Sequence, residues 1–421
     1  MRLMRVAMGY GSYLRHFSEK YPDVAVLGYE RLLRRYHEDA FGTSDAWTSA
    51  LEALGYETFA TVGNYEALQR AWAREHGVHV DDGTWPRDIL LAQARHFRPE
   101  VVWLNGYDRD LVSALRRQVP GLRLIFQAVG ARLDLSFPFR DLDFLISSAP
   151  EAVATLRSRG VPAHHVDHAF DSRILQRLSP AAPAIHDLVF AGELVAGQGF
   201  HGRRQALLIR LSADCPIEIF TSGFASEAAG RLGTPAFWRS VARPIHFAVA
   251  HGLPASIVRC VPKLRNLLDL RLNPAIQSRL RPPVYGLDMY ETLRRSRISL
   301  NVHADFSPTH ASNLRLYEAA GVGSCLLTDW KANLPDLFEP DREVVAYRTP
   351  DECVEKVRWL LAHPSEREAI AQAGRQRCLA EHTHRHRAPR LDAVIRGALA
   401  HLPRPPHGWG FGAGAGAPPE S

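Results

Sequence analysis

Residues 298–329 read ISLNVHADFSPTHASNLRLYEAAGVGSCLLTD: a strand, a loop, a short helix, a glycine turn and a second strand. Ile298 to Val302 is a short apolar run with β-branched members, which suits a buried strand. His303 to Ala311 is polar and interrupted by Pro308. Ser312 stands where an N-cap is expected, and Asn313 to Ala320 spans about two helical turns. Gly321 and Gly323 are expected to end that helix, and Ser324 to Thr328 to return as a buried strand. In such a unit a helix N-terminus opens behind the C-terminal end of a parallel strand. Open α/β sheets bind ligands there, and free N–H groups favour an anion such as a phosphate. Glu318 falls late in the expected helix, where the macrodipole disfavours a carboxylate. Two readings stand: an i,i+3 pair with Arg315 on a wet face, or a carboxylate accepting two ribose hydroxyls.

Working toward the N-terminus, strands alternate with helices. Arg5 to Met8, Glu57 to Val62, Val101 to Leu104, Leu122 to Gln127 and Leu142 to Ser147 read as strands. Helices are expected at Ser44 to Leu54, Asp88 to Phe97, Leu111 to Gln118 and Glu151 to Arg159. Repeated βα units predict a doubly wound sheet. Glycines follow the first strand in Gly9-Tyr-Gly-Ser-Tyr13, allowing either close approach of backbone to a ligand or a tight turn. This makes Gly11, Ser12 and Tyr13 candidates for an acceptor-side cleft. His164, His165 and His168 are close in sequence but have no fitting metal-ligand spacing or carboxylate partner.

The Pro/Ala-rich segment 179–185 is read as the linker between an N-terminal domain, 1–178, and a C-terminal domain, 186–388. Asp187 to Ala191 starts the second domain as a strand running into Gly192, and Ile217 to Phe220 is its next strand. Arg203 and Arg204 lie on the first turn of the following helix. Two cations at a helix start make sense if they share an anion with the backbone N–H groups; ordinary surface arginines are the plainer reading. Residues 224–281 are expected to be a helical insertion, and Pro282-Pro-Val-Tyr-Gly286 a loop beyond it. Amphipathic helices are read over Asp351 to Leu361 and Ser365 to Ala380, and a final helix over 389–402. His382, His384 and His386 recur in EHTHRHR, where a helix would put only the first and last on one face. The Gly/Pro/Ala-rich tail, 403–421, is expected to be disordered.

Asn313-Leu-Arg-Leu-Tyr-Glu318-Ala-Ala-Gly321-Val-Gly323, followed by Leu327-Thr-Asp329, resembles the C-terminal signature of GT-B glycosyltransferases, near the CgeB-like, glycosyl transferase family 1/4-like branch. Leu337-Phe-Glu-Pro340, Glu343-Val-Val, Tyr347-Arg348 and Glu381-His-Thr383 continue the resemblance, which spans about 285–390. It implies an α/β fold of GT-B type, two Rossmann-like doubly wound domains facing a cleft. It implies a hexosyltransferase-type enzyme that takes a UDP- or GDP-sugar donor and needs no cofactor or metal. In the related retaining enzymes a Glu-x7-Glu motif binds the donor. The second Glu, which holds the ribose, matches Glu318. The first, which touches the sugar, falls on His310, a departure from the pattern. By the same resemblance Arg204, with Gly192 and Arg203, would serve the donor pyrophosphate beside Ser312 and Asn313. Tyr285 and Gly286 would lie near the nucleobase, Tyr285 either stacking there or packing internally, and His168 near the cleft.

Across 421 residues the composition is ordinary for a globular chain, 46% hydrophobic and 23% charged, and the length suggests two domains. The net charge of +6 is carried almost wholly by Arg, interleaved with acids along helices, without an RNA-binding or zinc-finger pattern. Nucleic acid is therefore not expected as a partner. Arg31, Arg34 and Arg35 beside Leu32, Leu33 and Tyr36 allow a peripheral membrane contact, with a solvated helix face the simpler reading. The 5 scattered Cys read as buried thiols in a reducing cytoplasm. Two alternatives to an enzyme remain at this stage: a non-catalytic nucleotide-sugar-binding homologue and a basic interaction protein. The acceptor is not legible.

Overall fold

The computed structural model describes residues 1–106, 108–130, 139–180, 183–194, 202–221, 274–303, 305 and 307–401. Most of the expected insertion and the whole of the expected tail lie outside these residues. Two parallel six-stranded sheets are formed. The first contains β1 (Arg2–Ala7), β2 (Glu57–Val62), β3 (Val101–Leu104), β4 (Leu124–Ala128), β5 (Phe144–Ser147) and β6 (Ala163–His165), in the order β2-β1-β3-β4-β5-β6. The second contains β7 (His186–Ala191), β8 (Ile217–Phe220), β9 (Leu280–Arg281), β10 (Ser296–Asn301), β11 (Cys325–Asp329) and β12 (Val345–Tyr347), in the order β12-β11-β10-β7-β8-β9.

The central strands of each sheet are largely apolar because helices cover both faces of a parallel sheet. VVWL in β3 and FLIS in β5 are buried at every position. In the second sheet, Ile298, Leu300, Cys325 and Leu327 face a core with Leu208, Leu211, Val354 and Val357. Ala319, Ala320, Leu326, Phe338 and Ala346 pack on the opposite face. The register pairs Ile298 with Cys325 and Leu300 with Leu327, so both strands present the same face together. The end of the expected insertion is not wholly helical. A short helix, Pro274–Gln277, is followed by β9, which pairs with β8 at the sheet edge.

Each sheet reverses its order once, and that reversal leaves a crevice at the C-terminal strand ends. In the second sheet it falls between β7 and β10, and in the first between β1 and β3. The two domains are tied by a return of the chain. Phe170 bridges Thr383, with Phe170 N donating to His382 O at 2.8 Å and His384 N to Phe170 O at 3.2 Å. The last helix, His384–His401, begins earlier than expected and packs on the first domain: Ala388, Leu391 and Ile395 join Leu3, Trp47, Trp103 and Phe126 in one core. Among the described residues no helix is long and apolar enough to cross a membrane.

Candidate functional site

The helix after β10 runs Arg315–Val322, three residues beyond the expected cap at Ser312. Its N-cap is Leu314, with no side-chain capping bond. Gly321 lies inside the helix, where a Cβ would meet the Phe170 ring at 2.5 Å. Gly323, at φ +86°, makes the left-handed C-cap. Glu318 is therefore in the first turn, and the macrodipole favours its charge, reversing the sequence expectation. The Arg315 pair forms, Nη1 to Oε2 at 2.8 Å, but on a buried face: Glu318 is only 4% exposed. Tyr290 donates its hydroxyl to Oε1 at 3.0 Å. A carboxylate has about four lone-pair sites, so acceptor capacity remains after these two bonds.

The loop before that helix is held by polar side chains. Asn333 Oδ1 accepts from Ala311 N at 2.6 Å. Lys331 Nζ donates to the carbonyls of Ser307 and Pro308 at 3.1 and 3.0 Å. Asn301 Nδ2 donates to Thr328 Oγ1 at 2.9 Å and to Asn313 Oδ1 at 3.2 Å, so Asn313 is fixed to the end of β10. Ser312 is buried, and its carbonyl accepts from Ser148 Oγ of the first domain at 2.9 Å. These ties hold the described residues 307–313, and with Leu314 as N-cap Ser312 has no capping role. Beside them, His303 is buried with Nδ1 at 2.7 Å from Asp329 Oδ1, and its Nε2 has no hydrogen-bond partner among the described residues. Burial would raise the Asp329 carboxyl, but the bond to His303 and the nearby Lys331 charge bring it below its ordinary value. The sequence reading passed over His303 and Asp329 as site residues; a polar pair at the ends of adjacent parallel strands was the available signal.

Arg203 is exposed on the first turn of the helix Gly202–Asp214, whereas Arg204 is buried. Arg204 Nη1 donates to Glu193 O at 2.9 Å and Nη2 to Val302 O at 2.8 Å, joining the segments that leave β7 and β10 across the crevice. Burial lowers its pKa to about 10, against the raising effect of Asp329. Its terminal nitrogens are thus engaged by protein carbonyls, and the residue shapes the crevice wall. Gly192 lies at the end of β7, where a Cβ would stand 3.0 Å from the Phe190 ring.

Facing this crevice is the loop after β1. Asn64 secures Gly9 through two bonds, at 2.8 and 2.7 Å. Gly11 is exposed and Ser12 half-buried at the start of the helix Gly11–Lys20. Tyr10 is 64% exposed with its ring 5.6 Å from that of Phe41, and desolvation, then the charges of Glu193 and Glu318, raise its phenol. Tyr10, not Tyr13, is the exposed tyrosine of this loop. Tyr13 is fully buried, stacked on Phe41 with centroids 3.7 Å apart and bonded to Asp39 Oδ2 at 3.0 Å. It turns inward because the helix sets its apolar stripe against the first-domain core.

Tyr285 packs in that same aromatic group, 5.7 Å from Tyr13 and 5.1 Å from His16 between ring centroids, which is the packing alternative. Gly286, at φ +52°, lets the backbones of the two domains meet: Leu287 N donates to Asp39 O at 2.8 Å, and a Cβ at Gly286 would lie 2.1 Å from that oxygen. His168 is half-buried near Asp167 and His165 by the return crossing, and burial pushes its pKa down to about 4. Among the described residues, no hydrogen bond joins it to the crevice groups. His310 sits beside Glu151 of the first domain, Nδ1 to Oε1 at 3.0 Å.

No group of three or more His, Cys, Asp or Glu side chains among the described residues is arranged to hold a metal. The chain has two Asp-x-Asp triplets of the kind that can bridge a metal to a diphosphate, Asp108-Arg-Asp110 and Asp141-Leu-Asp143, and a residue of each has a structural role. Asp108 caps its helix by accepting from Leu111 N at 3.0 Å, and Asp143 accepts from Ile125 N at 2.6 Å.

Comparison with known proteins fits this geometry. Residues 259–393 match the family described as Glycosyl transferase-like. No curated protein matches the chain by sequence. A glycosyltransferase from Rickettsia africae is similar in structure over 95% of this chain and 99% of its own, at 8% identity and a TM-score of 0.53. Sucrose-phosphate synthase from Thermosynechococcus elongatus has the same coverage, at 10% identity and 0.50. Anabaena HepE, solved in complex with UDP-glucose, covers 94% of this chain and 100% of its own, at 10% identity and 0.50. At such identities the likeness establishes the fold, the two-domain GT-B arrangement.

Proposed function

We infer, from a glycosyltransferase domain set in a GT-B frame, that this protein moves a glycosyl group from a nucleotide-diphosphate sugar to an acceptor. The donor lies on the second domain and the acceptor enters from the first. The observation that carries this reading is Glu318: a buried carboxylate in a first helical turn, at the edge of a switch-point crevice, with acceptor capacity unused by Tyr290 and Arg315. Two adjacent ribose hydroxyls suit that capacity.

In the reaction, the bond between the sugar's anomeric carbon and the diphosphate oxygen breaks. A new bond forms to an acceptor hydroxyl, whose proton passes to solvent or to the departing phosphate. Charge develops on the diphosphate, so fixed donors near it lower the barrier. The backbone N–H groups opening the helix at Arg315 and the exposed cation of Arg203 are the groups proposed for that task. Arg204 keeps the crevice in shape, and His310 faces the donor sugar. We propose a retaining, metal-independent transfer. UDP- and GDP-sugars are the first donors to test, UDP-glucose leading because a structural neighbour is named as holding it.

Thermal shift against a panel of nucleotide sugars tests the reading, since a bound donor raises the melting temperature by mass action. A stabilising donor that is also converted to free nucleotide supports the enzyme. No stabilisation by any nucleotide sugar would overturn the reading. Binding without nucleotide release would favour the non-catalytic alternative, which the imidazole of His310, in the motif's first carboxylate position, keeps in play.

A further inference from the structure

Resting on the donor site proposed above, we propose that Glu151 is an interdomain positioning residue, which couples closure of the two domains to the shape of the loop that opens the donor helix. Glu151 lies in the first turn of the helix Pro150–Ser158, directly after β5 of the first domain. Its carboxylate reaches a loop of the second domain, residues 307–310. Oε1 accepts from Thr309 N at 3.1 Å, His310 N at 3.0 Å and Thr309 Oγ1 at 2.6 Å. Ser307 Oγ stands 3.1 Å from Oε2, and His310 Nδ1 lies 3.0 Å from Oε1. Consecutive backbone N–H groups converging on one oxygen form a nest that an anion fills. Here the anion comes from the other domain.

A second tie acts at the other end of the same loop, where Ser148 Oγ donates to Ser312 O. Opposite both ties stands the second domain's own grip. Lys331 holds the carbonyls of Ser307 and Pro308, Ala332 N donates to Thr309 O at 2.7 Å, and Asn333 holds Ala311. The loop is thus clamped between residues 148–151 and residues 331–333, and it leads straight into the helix that carries Glu318. Moving the first domain away removes one jaw of that clamp and leaves two loop N–H groups without their acceptor. Burial would raise the Glu151 carboxyl, but bonds from Thr309, its own backbone and His310 hold it at about 2, which agrees with a filled anion nest.

The test compares wild type, Glu151→Ala and Glu151→Gln by small-angle scattering without ligand and by calorimetric titration with UDP-glucose, or with whichever panel sugar stabilises the wild type. Glu151→Ala is expected to enlarge the radius of gyration and to weaken donor binding tenfold or more. Glu151→Gln keeps an acceptor oxygen and is expected to recover part of both. Ala variants with unchanged radius and affinity would overturn the proposal. So would an affinity loss at unchanged radius, which would mark a local contact. If the wild type binds no nucleotide sugar, the donor reading fails, and the scattering arm alone decides whether Glu151 holds the domains together. Circular dichroism confirms that each variant is folded; should the Ala variant unfold, the Gln variant carries the comparison.

Discussion

Replacing Glu318 by Gln separates its proposed ligand role from its structural one. Ala is the poorer choice. It would leave the hydroxyl of Tyr290, which is 2% exposed, without its acceptor, at about 1–3 kcal/mol of stability. Gln keeps a carbonyl oxygen for Tyr290, removes the charge and turns the oxygen facing Arg315 into an NH2 donor. The largely buried pair with Arg315 then loses its anion, a loss of about 1.5–3 kcal/mol. A bond to a charged acceptor contributes about 1 kcal/mol more than a neutral one, so two ribose hydroxyls lose about 2 kcal/mol. That corresponds to a roughly thirtyfold rise in Kd. Calorimetric titration with the stabilising donor measures it, beside a melting curve expected to fall by several degrees. Tyr290→Phe is the companion, since it frees a lone pair on Glu318 without touching its charge, and should change Kd less than fivefold. A Glu318→Gln protein that keeps its Kd within twofold would refute the reasoning. A large loss of stability at unchanged affinity would make Glu318 a structural group.

Arg204→Ala should lower unfolding stability by about 3 kcal/mol or more, because two buried charge-assisted bonds vanish and the carbonyls of Glu193 and Val302 lose their donor; urea denaturation measures this, with Arg204→Lys recovering only part. Donor turnover should persist in excess EDTA, and activity lost in EDTA and restored by Mn²⁺ would refute the metal-independent reading. The Glu151 carboxyl is held below its ordinary 4.5, at about 2, so the unfolded or opened state binds its proton first as pH falls. The interdomain tie is therefore fully present above about 4.5 and is lost as pH falls toward about 2. Scattering between pH 5 and pH 3 should show the wild type opening and the Glu151→Gln variant already pH-independent in that respect.

The central strands were legible because parallel strands buried on both faces are continuously apolar, as in Val101–Leu104. Those at the far edges, Ala163–His165, Leu280–Arg281 and Val345–Tyr347, are too short to show a pattern of their own. The helix that carries Glu318 was found, but its start was misplaced. Ser312 has the chemistry of a cap, yet its environment is set by Ser148, from another domain. Glu318 was legible through its motif; that it lies in a first turn, buried and shared by Tyr290 and Arg315, was not.

By itself the sequence determined the local and periodic properties: alternating βα units, the glycine that ends the Glu318 helix at Gly323, and the position of a carboxylate one motif-length after His310. Such features depend on interactions between near neighbours, which composition and spacing encode directly. Tertiary structure alone decided which side chains are spent on the protein and which remain for a ligand. Tyr13 is consumed by Asp39 and Phe41, Arg204 by two carbonyls, and Tyr285 by an aromatic group of the other domain. It also brought Glu151 to His310 across the cleft. A contact between residues so far apart in the chain leaves no periodic trace, because it is selected by the packing of two domains and not by the conformation of either segment.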